Sequence, residues 1–141
     1  MRHSLVCALL LAALAGLWAG CTPGASPGPL LEYSRSGGIA GFDDHLVVES
    51  SGKAVLTRRT ARSEFTVDPA MLSQLQATAE QADFAKLRGE HLPARPGADL
   101  FEYVLIYKGN RVRTMDTAVP ESLQPLLQLL NQVVESGGKP K

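Results

Sequence analysis

Arg35-Ser36-Gly37-Gly38-Ile39-Ala40-Gly41-Phe42-Asp43-Asp44 holds three glycines within five residues and only two bulky apolar side chains, Ile39 and Phe42. Leu30-Leu31-Glu32-Tyr33-Ser34 before it and His45-Leu46-Val47-Val48-Glu49 after it both read as strands. Glycine takes positive φ at no steric cost, so the chain can reverse between those strands. The stretch therefore predicts a hairpin near the start of a folded domain. Its small side chains would let another backbone approach closely.

Outward from the hairpin, alternation and turn residues predict the rest. The first strand spans Leu30 to Ser36 and the second His45 to Ser50. Ser50-Ser51-Gly52-Lys53 signals a turn into a third strand, Ala54 to Arg58. Arg58, Arg59 and Arg62 form a basic cluster, read as a solvated strand edge that discourages further pairing. Glu64-Phe65-Thr66-Val67 is a fourth short strand. Asp68 suits an N-cap and Pro69 a first helical position. Leu72, Leu75, Ala79 and Ala82 then recur on one helical face. Phe84 and Leu87 plug the core from the following turn.

Residues 88–99 contain Gly89, Pro93, Pro96 and Gly97 and read as one long loop. Leu100 to Lys108 is the clearest strand. Its middle is apolar on both faces, which predicts a central place. Gly109-Asn110 suits a tight turn into a partner strand, Arg111 to Asp116. Leu123, Leu126, Leu127, Leu130, Val133 and Val134 give a last helix over 121–135 a broad apolar stripe. Pro125 is expected in its first turn or two, or after a separate short turn. The order is β-β-β-β-α-β-β-α. It predicts an α+β fold: a mostly antiparallel sheet with two helices packed on one face.

The chain has 141 residues, room for one domain over 30–135. Residues 1–20 begin with Arg2 and His3 and continue as an apolar run to Leu17, the pattern of an export signal. Leu17-Trp18-Ala19-Gly20-Cys21 resembles a bacterial lipobox, which implies lipidation of Cys21, palmitate among the chains. The implied location is the membrane of the cell envelope, with the protein exported and anchored as a lipoprotein. Residues 21–29 form a Pro/Gly spacer after Cys21, and 136–141 a flexible tail. Cys7 lies in the signal, so no disulfide is expected.

Fourteen basic residues balance fourteen acidic ones, which argues against nucleic acid as a partner. No catalytic constellation is visible. Asp43-Asp44-His45 offers at most two convergent side chains, Asp43 and His45, because neighbours on a strand face opposite ways. That is too few for a zinc site. His91 lies in the Pro-rich loop with Glu90, where the favoured reading is a solvated polar position. There is no Gly-x-Ser-x-Gly elbow, and no Lys-Ser or Lys-Thr follows the glycines to make a phosphate loop. No enzyme, metal or cofactor is expected, and a monomer is.

Four further groups recur in order: Tyr33-Ser34-Arg35-Ser36-Gly37-Gly38-Ile39-Ala40-Gly41; Ala82-Asp83-Phe84 with Leu87; Pro96-Gly97-Ala98-Asp99-Leu100-Phe101-Glu102-Tyr103; and Pro120 with Leu123-Gln124-Pro125-Leu126. The series resembles the emfourin family of small bacterial inhibitors of thermolysin-like zinc metalloproteases such as protealysin. The resemblance covers roughly residues 31–134. The chain departs from that pattern in its export signal and in a longer segment over about 49–64. The resemblance implies inhibition of a secreted metalloprotease, without cofactor or turnover. The loop Ser36, Gly37, Gly38, Ile39, Ala40, Gly41, Phe42 and Asp43 would be the partner-binding element. Ile39 and Phe42 would fill pockets, and Asp43 would approach the metal. The alternative is a structural bend in an accessory lipoprotein that binds another envelope partner without inhibiting it.

Overall fold

The computed structural model describes residues 28–137 except 96 and 98. The expected export signal, Cys21, most of the expected spacer and residues 138–141 lie outside the described residues. Seven strands form one sheet: β1 (Leu31–Gly37), β2 (Phe42–Val48), β3 (Lys53–Arg58), β4 (Ala61–Thr66), β5 (Gly89–His91), β6 (Phe101–Tyr107) and β7 (Asn110–Met115). Their spatial order is β4-β3-β2-β1-β6-β7-β5. All pairs are antiparallel except β5 with β7. The α+β architecture expected from the sequence is the one adopted.

Alternation sets the faces. In β1, Leu31, Tyr33 and Arg35 are buried while Glu32 and Ser34 are not. Leu46, Val48, Ala54, Leu56, Leu105, Tyr107 and Val112 join the same inner face. Helix α1 (Pro69–Gln81) buries Leu75 and Ala79 in this core. Helix α3 (Gln124–Gly137) adds Leu126, Leu127, Leu130, Val133 and Val134. Asp68 caps α1, accepting at Oδ1 from the amides of Ala70 at 2.9 Å and Met71 at 3.4 Å. A 3-10 turn over Glu121–Leu123 precedes α3, and Pro125 is the second helical residue. No intrahelical bond needs its missing N–H there. No helix among the described residues is long and apolar enough to cross a membrane.

Several boundaries differ from expectation for identifiable reasons. The middle strand is β1, while β6 lies between β1 and β7. Residues 88–99 are not one loop. Gly89–His91 pairs in parallel with Val112–Thr114, and Arg113 bonds both Glu90 and Glu102 across three strands. The β6–β7 turn is Lys108-Gly109, with φ of 48° and 76°, so Asn110 pairs with Tyr107 instead of turning. A second helical turn, α2 (Phe84–Leu87), follows Asp83, which is left-handed at φ 54°.

Candidate functional site

Strand pairing carries the glycine stretch further into the sheet than its composition suggests. Gly37 pairs with both Phe42 and Phe101. The turn itself is only Gly38-Ile39-Ala40-Gly41, so Ser36, Gly37, Phe42 and Asp43 belong to strands. Ser36 pairs with Asp43, and both project from the outer, helix-free face.

Two glycines are required by their surroundings. Gly37 has φ 100°, and a Cβ there would lie 2.6 Å from the Leu100 carbonyl oxygen. Gly38 has φ 67°, and a Cβ would meet the Phe101 ring at 2.9 Å. The backbone leaving the 92–100 segment thus lies directly against the hairpin, and the Gly38 amide donates to Leu100 O at 3.4 Å.

The turn is held from its other side by Arg59. This residue lies in the two-residue turn between β3 and β4. Its guanidinium donates through Nη2 to the carbonyls of Ala40 and Gly41, both at 2.8 Å, and through Nε to Gly41 at 3.3 Å. Its own amide donates to Asp43 O at 2.8 Å. Within the turn, Gly41 N–H reaches Gly38 O at 3.0 Å. The basic cluster is therefore not one solvated edge. Arg58 bonds Val134 O at 2.6 Å at the end of α3, Arg59 braces the hairpin, and Arg62 alone of the three pairs on the exposed edge, with Glu64.

Beneath the turn lies a buried polar and aromatic layer. Arg35 donates to Asp44 Oδ2 through Nη2 at 2.6 Å and Nε at 3.1 Å, and to Asn131 Oδ1 through Nη1 at 3.1 Å. Its guanidinium sits 5.0 Å from the Phe42 ring centre and 5.6 Å from that of Phe101. Those rings meet edge to face at 5.4 Å. Tyr33 donates to Asn131, and Tyr103 to Asp116. Burial pushes both phenols up; the nearby Arg35 charge opposes this at each, and at Tyr103 the hydrogen bond to Asp116 adds to it. Asp44 is thus a buried ion-pair partner, while Asp43 and His45 stay exposed beside it.

Ile39 is 89% exposed, Phe42 42% and Leu92 41%. β7 runs toward the hairpin end of the sheet, and β5 runs parallel to it, so Leu92 emerges at that same end. The three exposed large hydrophobic residues among those described share one end of the sheet. Arg35 and Asp44 could have been placed from parity alone, two positions from Tyr33 and Leu46 on the same inward face. Nothing in the sequence marks Arg59 as the brace, because its contact depends on how the second hairpin curls.

Among the described residues no three His, Cys, Asp or Glu side chains gather to hold a metal. His91 is spent locally, with Nε2 at 2.7 Å from Leu87 O. No protein-family model matches the chain, and no curated protein matches it.

Proposed function

We propose that the protein is an envelope-tethered, emfourin-like inhibitor of a thermolysin-like zinc metalloprotease, held through lipidated Cys21 and acting through the Gly38–Gly41 turn. The observation that carries this reading is the exposure of Ile39, 89% solvent-accessible on a turn braced by Arg59 and seated on Phe101. A preformed turn loses little conformational entropy on binding. Its apolar tip offers what a hydrophobic cleft subsite takes. Both strands leading into the turn are paired on each side, so the segment cannot relax readily into the extended form that a protease cleaves. The ordered series of residues that resembles the emfourin family supports the same partner class. Asp43 lies in β2 on the outer face of the sheet and not in the turn, which favours apolar blocking of the cleft by Ile39 over a carboxylate delivered to the metal.

Titration of the purified protein against a thermolysin-like protease with a peptide substrate tests the reading. Inhibition is expected at near-stoichiometric protein. Ile39→Asp should weaken it roughly tenfold or more, since burying an Ile side chain contributes about 1.5–3 kcal/mol. Absence of inhibition at large excess overturns the reading and leaves the accessory-lipoprotein alternative.

A further inference from the structure

The sheet has two edges of unequal character. At β5 the edge is three residues long and is followed by Pro93, which cannot donate to a ladder. At β4 six residues, Ala61–Thr66, are paired among the described residues on one side only, to β3. Parity decides which backbone groups face out. The β3–β4 turn is two residues long and closes on the Arg58–Ala61 pair. Val67 N–H donates to Gly52 O at 2.9 Å in that same register. Ala61, Ser63 and Phe65 therefore direct their amides and carbonyls at β3, while Arg62, Glu64 and Thr66 direct theirs outward. Two of these outward-bonding residues, Arg62 and Glu64, carry opposite charges on one face, and their side chains are 63% and 70% exposed.

We propose that two copies of the chain pair antiparallel through β4, with Ser63 on the two-fold axis. Arg62 then lies opposite Glu64 of the second copy, and Glu64 opposite its Arg62. Both pairs fall at positions where the two backbones exchange N–H···O bonds. Moving the axis to Arg62 or Glu64 keeps the hydrogen bonds but sets like charges opposite each other, which disfavours those registers. On the inner face Phe65 meets Ala61 of the second copy. The second copy's Arg59-Thr60 turn comes beside Val67, at the mouth of a groove of about 840 Å³ lined in part by Phe65, Met71 and Val133. The alternating charges thus select a self-complementary partner instead of merely repelling others. The two-fold axis is perpendicular to the sheet, so both glycine turns stay free at opposite ends of the pair. The pairing stands independently of the inhibitor reading.

Sedimentation equilibrium of the chain purified in mild detergent tests the proposal. The unaltered chain should show a concentration-dependent dimer. Arg62→Glu or Glu64→Arg alone should weaken it roughly tenfold, since each replaces two opposite-charge pairs by two like-charge pairs. The double variant Arg62→Glu/Glu64→Arg is self-complementary again and should restore it. With Cys7→Ser and Cys21→Ser as background, Ser63→Cys should oxidise to an intermolecular disulfide, because a non-hydrogen-bonded antiparallel pair places its Cα atoms about 4.5 Å apart. Ser51→Cys in the distant β2–β3 turn should not. A monomer up to about 1 mM overturns the proposal, as does a dimer that ignores the charge reversals or one that the double variant fails to restore. It is equally overturned if a dimer forms only after residues 138–141 are removed, since the tail would then occupy the edge.

Discussion

Arg35 and Asp44 show how one inward-facing ion pair governs a surface. Their side chains are 11% and 4% exposed, and Arg35 also faces Phe42, Phe101 and Asn131. Removing the carboxylate leaves the Arg35 charge buried without its anion. Asp44→Ala should therefore cost about 3–5 kcal/mol in urea unfolding. An isosteric apolar pair in place of both residues should cost much less. The phenols beneath the turn make a second residue-scale prediction. Tyr33 and Tyr103 are raised from an ordinary value of 10.0 by burial. A raised folded-state pKa means that the native protein holds its proton while the unfolded chain releases it. That stability is fully present below pH 10 and falls as pH rises above it. Urea midpoints should fall steadily above about pH 10, and Tyr33→Phe should flatten the slope. An unchanged slope would show that Tyr33 does not contribute. The alternation of Tyr33, Arg35 and Asp44, Leu46 carried this layer in plain view. Asn131 and Arg59 were not legible, since their roles depend on tertiary approach across 96 and 19 residues of sequence to Arg35 and Ala40.

At the scale of elements, periodic segments were legible and aperiodic ones were not. Strands β1, β2, β3 and β6 alternate, and α1 and α3 carry apolar stripes, with a recognisable start for α1 at Asp68. β5 has no such pattern. Gly-Glu-His is three residues long, and its pairing is fixed by the distant Arg113, which reaches Glu90 at 2.9 Å and Glu102 at 2.8 and 2.9 Å. Arg113→Met should therefore free β5 while leaving the core intact. Amide exchange at Glu90 and His91 should accelerate, and exchange at Leu105 should not. The clamp also titrates. The Arg113 guanidinium beside Glu102 holds its carboxyl below the ordinary carboxylate value of 4.5, despite partial desolvation. A depressed carboxylate contributes stability that is present above its unfolded value and lost as pH falls through the folded one. Protection at the strands Arg113 and Glu102 join, corrected for the intrinsic pH dependence of exchange, should accordingly fall on acidification below about pH 4.5 in the unaltered protein and depend less on pH in Arg113→Met. Identical acid profiles in the two proteins would mean that another group controls this edge.

For the whole molecule, the chain's entry and its exposed apolar end lie at opposite ends of β1. Leu31 begins that strand and Gly37 closes it, about 20 Å away at the rise of an extended chain. The Ile39 turn, Phe42, Leu92 and the Arg59 brace all lie at the Gly37 end. The proposed tether through Cys21 would enter at the Leu31 end and share no residue with the candidate site. Anchoring and inhibition should therefore separate cleanly. Cys21→Ser should move the protein from the detergent-rich to the aqueous phase on phase partitioning. Its titration curve against a thermolysin-like protease should superimpose on that of the anchored form. Loss of inhibition on release would mean that lipid or membrane forms part of the binding surface, and persistent partitioning into detergent would mean that Cys21 is not the anchor. Ile39→Asp supplies the converse, weakened inhibition with unchanged partitioning. Together the two variants test whether the Leu31 end only locates the domain while the glycine turn alone meets the partner.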